Sequence, residues 1–398
     1  MRTLSSSSLS DLRSPVVQPP VPESASNHLR SGKFVIDFSV SDEVLKAGAY
    51  PVSWSENNYM VFGRGNRVHY KNFSANEEIS QVCKVPEGLG NLRAVQCGGK
   101  DQRNNVAIIT MKGIIQIWDL STKKMTLSWP TKRTPTVMHW NGPILSVGGE
   151  RGSIRHFDTR IHEARKPVNP VHKVTRHQLK ISSLLWNPDG GFFASGDEGG
   201  TVHVWDSRQK APLEVGELVQ RRRKMQHVGA VTALAWCPWQ SKLLASGDSA
   251  PDATGTICVW NINNTSSSQP NYPMKLELDA QVTSLHFSAH CKELLSTHGP
   301  GKSTPAPPPS VQLDSHSFPN ETMPSRIANS VVVHAIPSLR QVVKLEAAKV
   351  NIAGSVMSPN GQRIVLAIPE ESKLKVWDVW GKVKELKRTS SSLTLQIR

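Results

Sequence analysis

The sequence predicts an all-β fold, a seven-bladed β-propeller with disordered N- and C-terminal tails, on three observations. The first is the stretch from His177 to Asp206, which holds three short apolar runs. These are Ile181 to Trp186, Phe192 to Ser195 and Thr201 to Trp205, separated by Asn187-Pro188-Asp189-Gly190 and by Gly196 to Gly200. Runs of this length, rich in β-branched and aromatic residues and bounded by Pro, Asp and Gly, read as successive antiparallel strands. The second observation is a copy of this unit. His227 stands four residues before Val231, as His177 stands four before Ile181. Trp236 and Pro238 match Trp186 and Pro188, Ser246 matches Ser195, and Trp260-Asn261 replaces Trp205-Asp206. The third is that such units recur along the chain. A small sheet cannot cover its own faces and is stabilised by stacking against copies of itself. This is the pattern of WD repeats, in which each unit of about 40–45 residues forms one four-stranded blade. A buried indole needs an acceptor, and a serine hydroxyl both accepts and donates. A Trp–Ser–His relay is therefore expected in both blades: Trp205, Ser195 and His177 in one, Trp260, Ser246 and His227 in the other.

Taken in order, residues 1–47 are Ser/Pro-rich near their start and are expected to be disordered. Ser14-Pro15 there reads either as a proline-directed phosphorylation site or as plain linker. The propeller is expected over 48–388. Its first blade ends at Tyr70, where a Trp would be usual. The second closes on Trp118-Asp119 and the third on Phe157-Asp158. The fourth and fifth are the units described above. The sixth breaks for a Pro-rich insertion, 300–328, and the seventh closes on Trp377-Asp378. Seven units close a ring without a free sheet edge. The insertion reads as a solvated loop. Its Gly301-Lys302-Ser303 imitates the end of a phosphate-binding loop, but that motif needs Gly where Ser296 stands and a helix where prolines follow. Residues 389–398 read as a flexible tail ending Ile397-Arg398.

No apolar run reaches transmembrane length, and the first residues have no signal-peptide core, so no membrane partner is expected. Cys83, Cys97, Cys237, Cys258 and Cys291 are scattered without a CxxC pair. That spacing suggests neither zinc nor a disulfide framework, and no metal or cofactor is expected. HExxH, GxSxG and paired-carboxylate arrangements are missing, so no catalytic residues are assigned. An interaction scaffold and a basic nucleic-acid binder remain. The net charge of +15, the Arg221-Arg-Arg-Lys224 run expected in the loop between blades four and five, and the basic stretch Lys382 to Arg388 raise the second. Neither run has the interleaved aromatics of a stacking platform. A solvated loop or a nuclear import signal is the favoured reading, with the protein in nucleus and cytoplasm.

Several stretches resemble one family. They are Glu293-Leu-Leu-Ser-Thr-His-Gly299, Gly113-Ile-Ile-Gln-Ile-Trp-Asp119, Asp158-Thr-Arg160, Leu234-Ala-Trp-Cys-Pro238 with Leu244-Ala-Ser-Gly247, and the terminal Ile397-Arg398. Together they are similar to the Fizzy and Fizzy-related proteins, WD-repeat activators of the anaphase-promoting complex, a multisubunit ubiquitin ligase. The similarity covers about residues 48–398. It implies a non-catalytic activator that binds degradation motifs of substrates (the D box and the KEN box) on its propeller. It also implies docking of Ile397 and Arg398 in a groove of a helical-repeat ligase subunit. An aliphatic side chain, a guanidinium able to pair bidentately and a free carboxylate suit such a groove. The family's activation box, Asp-Arg-aromatic-Ile-Pro, has no match in 1–47, where Asp11-Leu-Arg-Ser-Pro15 is the nearest stretch. Either the start of the chain lies upstream of Met1 or this is a divergent member with impaired activation. At positions that the resemblance assigns to degron contact, Ser53 replaces an Asp, Asp197-Glu198-Gly199-Gly200 replaces Gly-Asn-Asp-Asn, and Lys375 replaces an Arg. A face made of Ser53, Glu198 and Lys375 is expected to choose substrates differently, as in a specialised, for example meiotic, activator.

Overall fold

The computed structural model describes residues 24–75, 77–161, 172–209, 211–219, 221–263, 273–305 and 322–381. Seven antiparallel sheets form a ring. Their first strands are Val52–Trp54, Leu92–Cys97, Pro135–Asn141, Ile181–Trp186, Ala230–Trp236, Ala280–Phe287 and Gly354–Met357. Each touches the first strand of the next blade, and the seventh touches the first, so these strands line the centre. Second strands are buried nearly throughout, as in Asn105–Thr110 and Arg363–Ile368. A strand covered on both faces needs a continuous apolar run rather than alternation, and Val106-Ala-Ile-Ile109 supplies one.

An apolar cluster fills each of the seven blade–blade interfaces. Ile154 of blade three, for instance, packs with Ile181, Phe193 and Trp205 of blade four. Val202 and Val204 of blade four pack with Val231 and Trp236 of blade five. Seven clusters thus each join two blades, so the ring is one cooperative body.

The ring starts earlier than residue 48. Arg30–Asp37 is a strand, the outermost of blade seven, antiparallel to Lys373–Asp378 with Arg30 opposite Asp378 and Asp37 opposite Lys373. Low apolar content predicts disorder over 1–47; yet Ile36 and Phe38 insert into the cluster between blades seven and one. The first end of the chain therefore supplies the strand that blade seven lacks. Glu293, 7 % exposed, fastens this closure. It accepts from Ser24 Oγ (2.5 Å), from the backbone N–H of Ala25 (3.1 Å) and from Trp380 Nε1 (2.7 Å).

The meander places the turns between second and third strands on the same face as the crossovers between blades; we call this the crossover face. The insertion of blade six lies there, between Glu293–Gly301 and Ser330–Ala335. Its described ends are paired, Thr304 with Met323 and Pro305 with Thr322. The basic run is not a loop. Arg221 is at a turn and Arg222–Gln226 is the fourth strand of blade four, paired on one side with Thr201–Asp206 and on the other with a fifth, Glu217–Val219. Glu217–Val219 is the edge of this sheet, and Arg222 and Lys224 keep their side chains exposed while Met225 alone is buried.

A β-bulge recurs at one position of the first strand in blades two to six, leaving Arg93, Thr136, Ser182, Thr232 and Thr283 unpaired in the ladder. Thr136 Oγ1 donates to Ile181 O (2.6 Å), Ser182 Oγ to Val231 O (2.7 Å), and Thr232 Oγ1 to Val282 O. Three hydroxyls thus stitch each blade to the carbonyl of the next along an inner belt.

Candidate functional site

Blades four and five hold the buried polar groups side by side. Trp205 Nε1 donates to Ser195 Oγ (2.9 Å), and Ser195 Oγ lies 2.7 Å from His177 Nε2. His177 Nδ1 reaches Asp197 Oδ2 at 2.7 Å. A carboxylate only accepts, so the imidazole proton sits on Nδ1 and the serine donates to Nε2. In blade five Trp260 Nε1 and His227 Nε2 both lie 2.7 Å from Ser246 Oγ, with Asp248 Oδ2 3.7 Å from His227 Nδ1. Burial pushes the carboxyls of Asp197 and Asp248 up, but the hydrogen bond from His177 to Asp197, the nearby His227 beside Asp248 and backbone N–H donors to both outweigh it and leave both below the usual range. Gly152 and Gly200 (φ +70° and +84°) let turns close on these crossovers, where a Cβ would lie 2.1 Å from His177 O and 2.3 Å from His227 O.

Other blades vary the scheme. In blade three Ser146 Oγ meets His156 Nδ1 (2.7 Å) and accepts from Trp186, which reaches over from blade four (2.8 Å). In blade six His334 aligns with the relay tryptophans and His298 with the aspartates, and Ser296 Oγ lies 2.8 Å from His298 Nε2 and 3.3 Å from His334 Nε2. All of these groups are buried and bind one another, so they are scaffold rather than reactive groups. Cys83, Cys97 and Cys258 have thiols pushed up to about 12 by burial, which holds them as thiols. Among the described residues no group of three or more His, Cys, Asp or Glu is placed to hold a metal ion.

The three residues of the expected degron face do not come together. Ser53 is 3 % exposed, and its Oγ accepts from the backbone N–H of Cys97 (2.9 Å) in blade two. It stitches two blades and is closed to a ligand, which corrects its placement on an open face. A small hydroxyl here fits inside the interface, where a carboxylate would have to project. Glu198 is exposed on the crossover face and pairs with Lys180 at 2.6 Å. Lys375 is half-buried against Glu371 (2.8 Å) and Ala347 O (3.2 Å) in blade seven. Among the described residues no hydrogen bond or ion pair joins any two of the three. Ile397 and Arg398 lie outside the described residues.

Sequence reasoning missed Asp197 and Asp248, although each follows its relay serine by two residues in a shared Ser-Gly-Asp. Glu293 stands in the blade-six signature, but its part in closure is set by Ser24, Ala25 and Trp380, distant in the chain. Sequence reasoning also passed over Arg93, whose meaning depends on the belt and leaves no local signal.

Ring, blade meander and relay define a WD-repeat β-propeller protein. The WD domain, G-beta repeat family matches residues 168–206 and 219–261, the blades with the full relay. The WD repeat-containing protein slp1 of Schizosaccharomyces pombe is 30 % identical over 292 residues, 71 % of this chain and 50 % of that protein. The B-type cell cycle switch protein ccs52B of Medicago truncatula is 27 % identical, over 84 % of this chain and 58 % of its own length. Protein FIZZY-RELATED 3 of Arabidopsis thaliana is also 27 % identical, over 84 % and 59 %. The chain thus spans little more than half the length of these curated relatives. A chain from a crystal structure of the mitotic checkpoint complex superposes with a TM-score of 0.69 at 24 % identity, over 93 % of this chain and all of that one, a likeness of fold. Within the WD-repeat class, the protein is a homologue of the Fizzy-related proteins.

Proposed function

We propose that this protein is an activator and substrate-recognition subunit of the anaphase-promoting ubiquitin ligase, without catalysis of its own. The observation that carries this reading is homology running through most of the propeller to Fizzy-related and cell cycle switch proteins. The mechanism is tethering. The propeller holds a degron while Ile397 and Arg398 dock on a ligase subunit, and two linked contacts raise the local concentration of substrate. Ser53 is buried, so the substrate face differs from the family pattern there and keeps only Glu198 and Lys375 of the three proposed contacts. Work in nucleus and cytoplasm is part of the same proposal. The test is capture of purified anaphase-promoting complex by the full chain and by a version ending at Gln396. Capture that depends on the last two residues is expected. Equal capture by both removes the docking role of the tail, and no capture by the full chain removes the activator reading.

A further inference from the structure

Arg93 breaks the inner belt. The other four bulged residues are Ser or Thr, and a hydroxyl has one proton to give. A guanidinium has five N–H donors in a rigid fork and stays charged at neutral pH. The side chain of Arg93 is only 3 % exposed. Its Nε has no hydrogen-bond partner, and its Nη1 reaches Met111 Sδ at 3.8 Å and Glu150 Oε1 at 3.6 Å. The second distance is an ion pair too long for a hydrogen bond. Burial lowers the pKa of the guanidinium, against the fields of Glu150, Glu198 and Glu43. A cation is thus held almost out of water with its Nε–H unpartnered.

Its surroundings lie on the crossover face. Met111 lies between the second and third strands of blade two, and Glu150 between those of blade three. Glu198 is paired with Lys180, and Glu43 accepts from Asn91 Nδ2 at 2.6 Å. Glu150 is 46 % exposed and, among the described residues, Arg93 is the one cation its carboxylate approaches. It covers the fork loosely, with nearly half of its side chain exposed to solvent.

We propose that Arg93 is the base of a carboxylate subsite between blades two and three on the crossover face. It takes the aspartate or glutamate side chain of a bound peptide in place of Glu150. A planar fork pairs bidentately with a carboxylate, and a buried fork does so with little screening by water. Glu150 already marks where such a group stands. The fields of Glu198 and Glu43 penalise a dianion, so the ligand is a carboxylate rather than a phosphate. The subsite does not depend on ligase binding.

The test uses the full chain, its Glu150→Ala variant and an Arg93→Ser variant, which restores the hydroxyl common to the belt. The probes are Ac-Gly-Glu-Gly-NH2 and Ac-Gly-Gln-Gly-NH2, titrated by ligand-observed NMR. Glu150→Ala is expected to bind the Glu peptide at least tenfold more tightly than the Gln peptide. The unaltered chain is expected to show the same preference with a weaker Kd, and Arg93→Ser none. Equal binding of the two peptides by Glu150→Ala, or binding of neither, overturns the proposal. So does a preference that survives in Arg93→Ser, because the site then lies elsewhere. Should Arg93→Ser not fold, as judged by its melting curve, Arg93→Gln takes its place with the same expected loss of preference.

Discussion

Ser195 holds two buried partners at once, the indole of Trp205 and the imidazole of His177. Replacing it with Ala leaves a donor and an acceptor unpaired in a closed interior, each costing about 1–3 kcal/mol. Ser195→Ala is therefore expected to lower unfolding stability by about 3 kcal/mol. Trp205→Phe removes the indole N–H and leaves Ser195 able to bond to His177, so it should cost less. Urea denaturation of both variants measures the order, and a larger loss for Trp205→Phe would place the weight on ring packing instead. The histidines outside the relays of blades four and five set a dependence on acid. Burial, the largest influence on each, pushes His139, His203 and His286 down to about 4 and His298 to about 3, from 6.5. They are neutral in the fold at pH 7, while the unfolded chain takes up protons below about 6.5. The unfolded state binds more protons between those limits, so stability falls as pH drops from about 6.5 towards 4, by about 1.4 kcal/mol per pH unit for each fully buried group. Asp197 and Asp248, held below the carboxylate range, add a further loss only below their unfolded value near 3.8. Melting temperature is expected to be level from pH 8 to 7 and to fall between 6.5 and 5, less steeply in His286→Gln. A level profile down to pH 5 would contradict the burial of these rings.

At the scale of the element, a blade tolerates length on its outside and its turns, and not along its first strand. Pro305 and Thr322 are register partners, so the chain ends flanking 306–321 are adjacent. Replacing 306–321 with an Asn-Gly turn is expected to change stability by less than about 0.5 kcal/mol, because that dipeptide joins paired strands directly. A large fall in the urea midpoint would mean that the insertion packs on the ring. The blades themselves were legible in the sequence because second strands are unbroken apolar runs and relay residues recur in register. Trp205 and Trp260, Ser195 and Ser246, His177 and His227 are read off by alignment of one unit on another. What escaped notice has no counterpart in a neighbouring unit. Arg30–Asp37 is too polar to resemble a buried strand, since as an outermost strand it offers mainly Ile36 and its neighbour Phe38 to the core. Arg222–Gln226 is equally polar and buries only Met225. Ser53 looked like a surface contact because its environment is made by Cys97, forty-odd residues later, and sequence spacing says nothing of such a pair. Arg93 is ordinary in its own blade and exceptional only beside Thr136, Ser182, Thr232 and Thr283.

At the scale of the whole molecule, the ring is held shut by a strand borrowed across the chain. Blade seven takes its first three strands from Gly354–Met357, Arg363–Ile368 and Lys373–Asp378, and its fourth from Arg30–Asp37. The cluster between blades seven and one depends on that fourth strand through Ile36, beside Val365, Val376 and Phe62. Without it, Lys373–Asp378 presents an unpaired edge ready to pair with another chain. Deleting residues 1–38 is therefore expected to lower the melting temperature by roughly 5 °C or more and to promote self-association, read by size-exclusion chromatography with light scattering. A loss of this kind could still come from the absence of the segment itself rather than from an open ring, and connectivity separates the two. Ser24 and Trp380 both bind Glu293, and Arg30 lies opposite Asp378, so the borrowed strand begins where the third strand of blade seven ends. A permuted chain can run from residue 39 to Gly381 and then, through a short Gly/Ser link, into residues 24–38. This gives blade seven four consecutive strands, as in its neighbours. The permuted chain is expected to melt within a few degrees of the native one and to remain monomeric at concentrations where the deleted chain associates. Association of the permuted chain to the same extent would show that pairing of Arg30–Asp37 with Lys373–Asp378 is not what closes the ring.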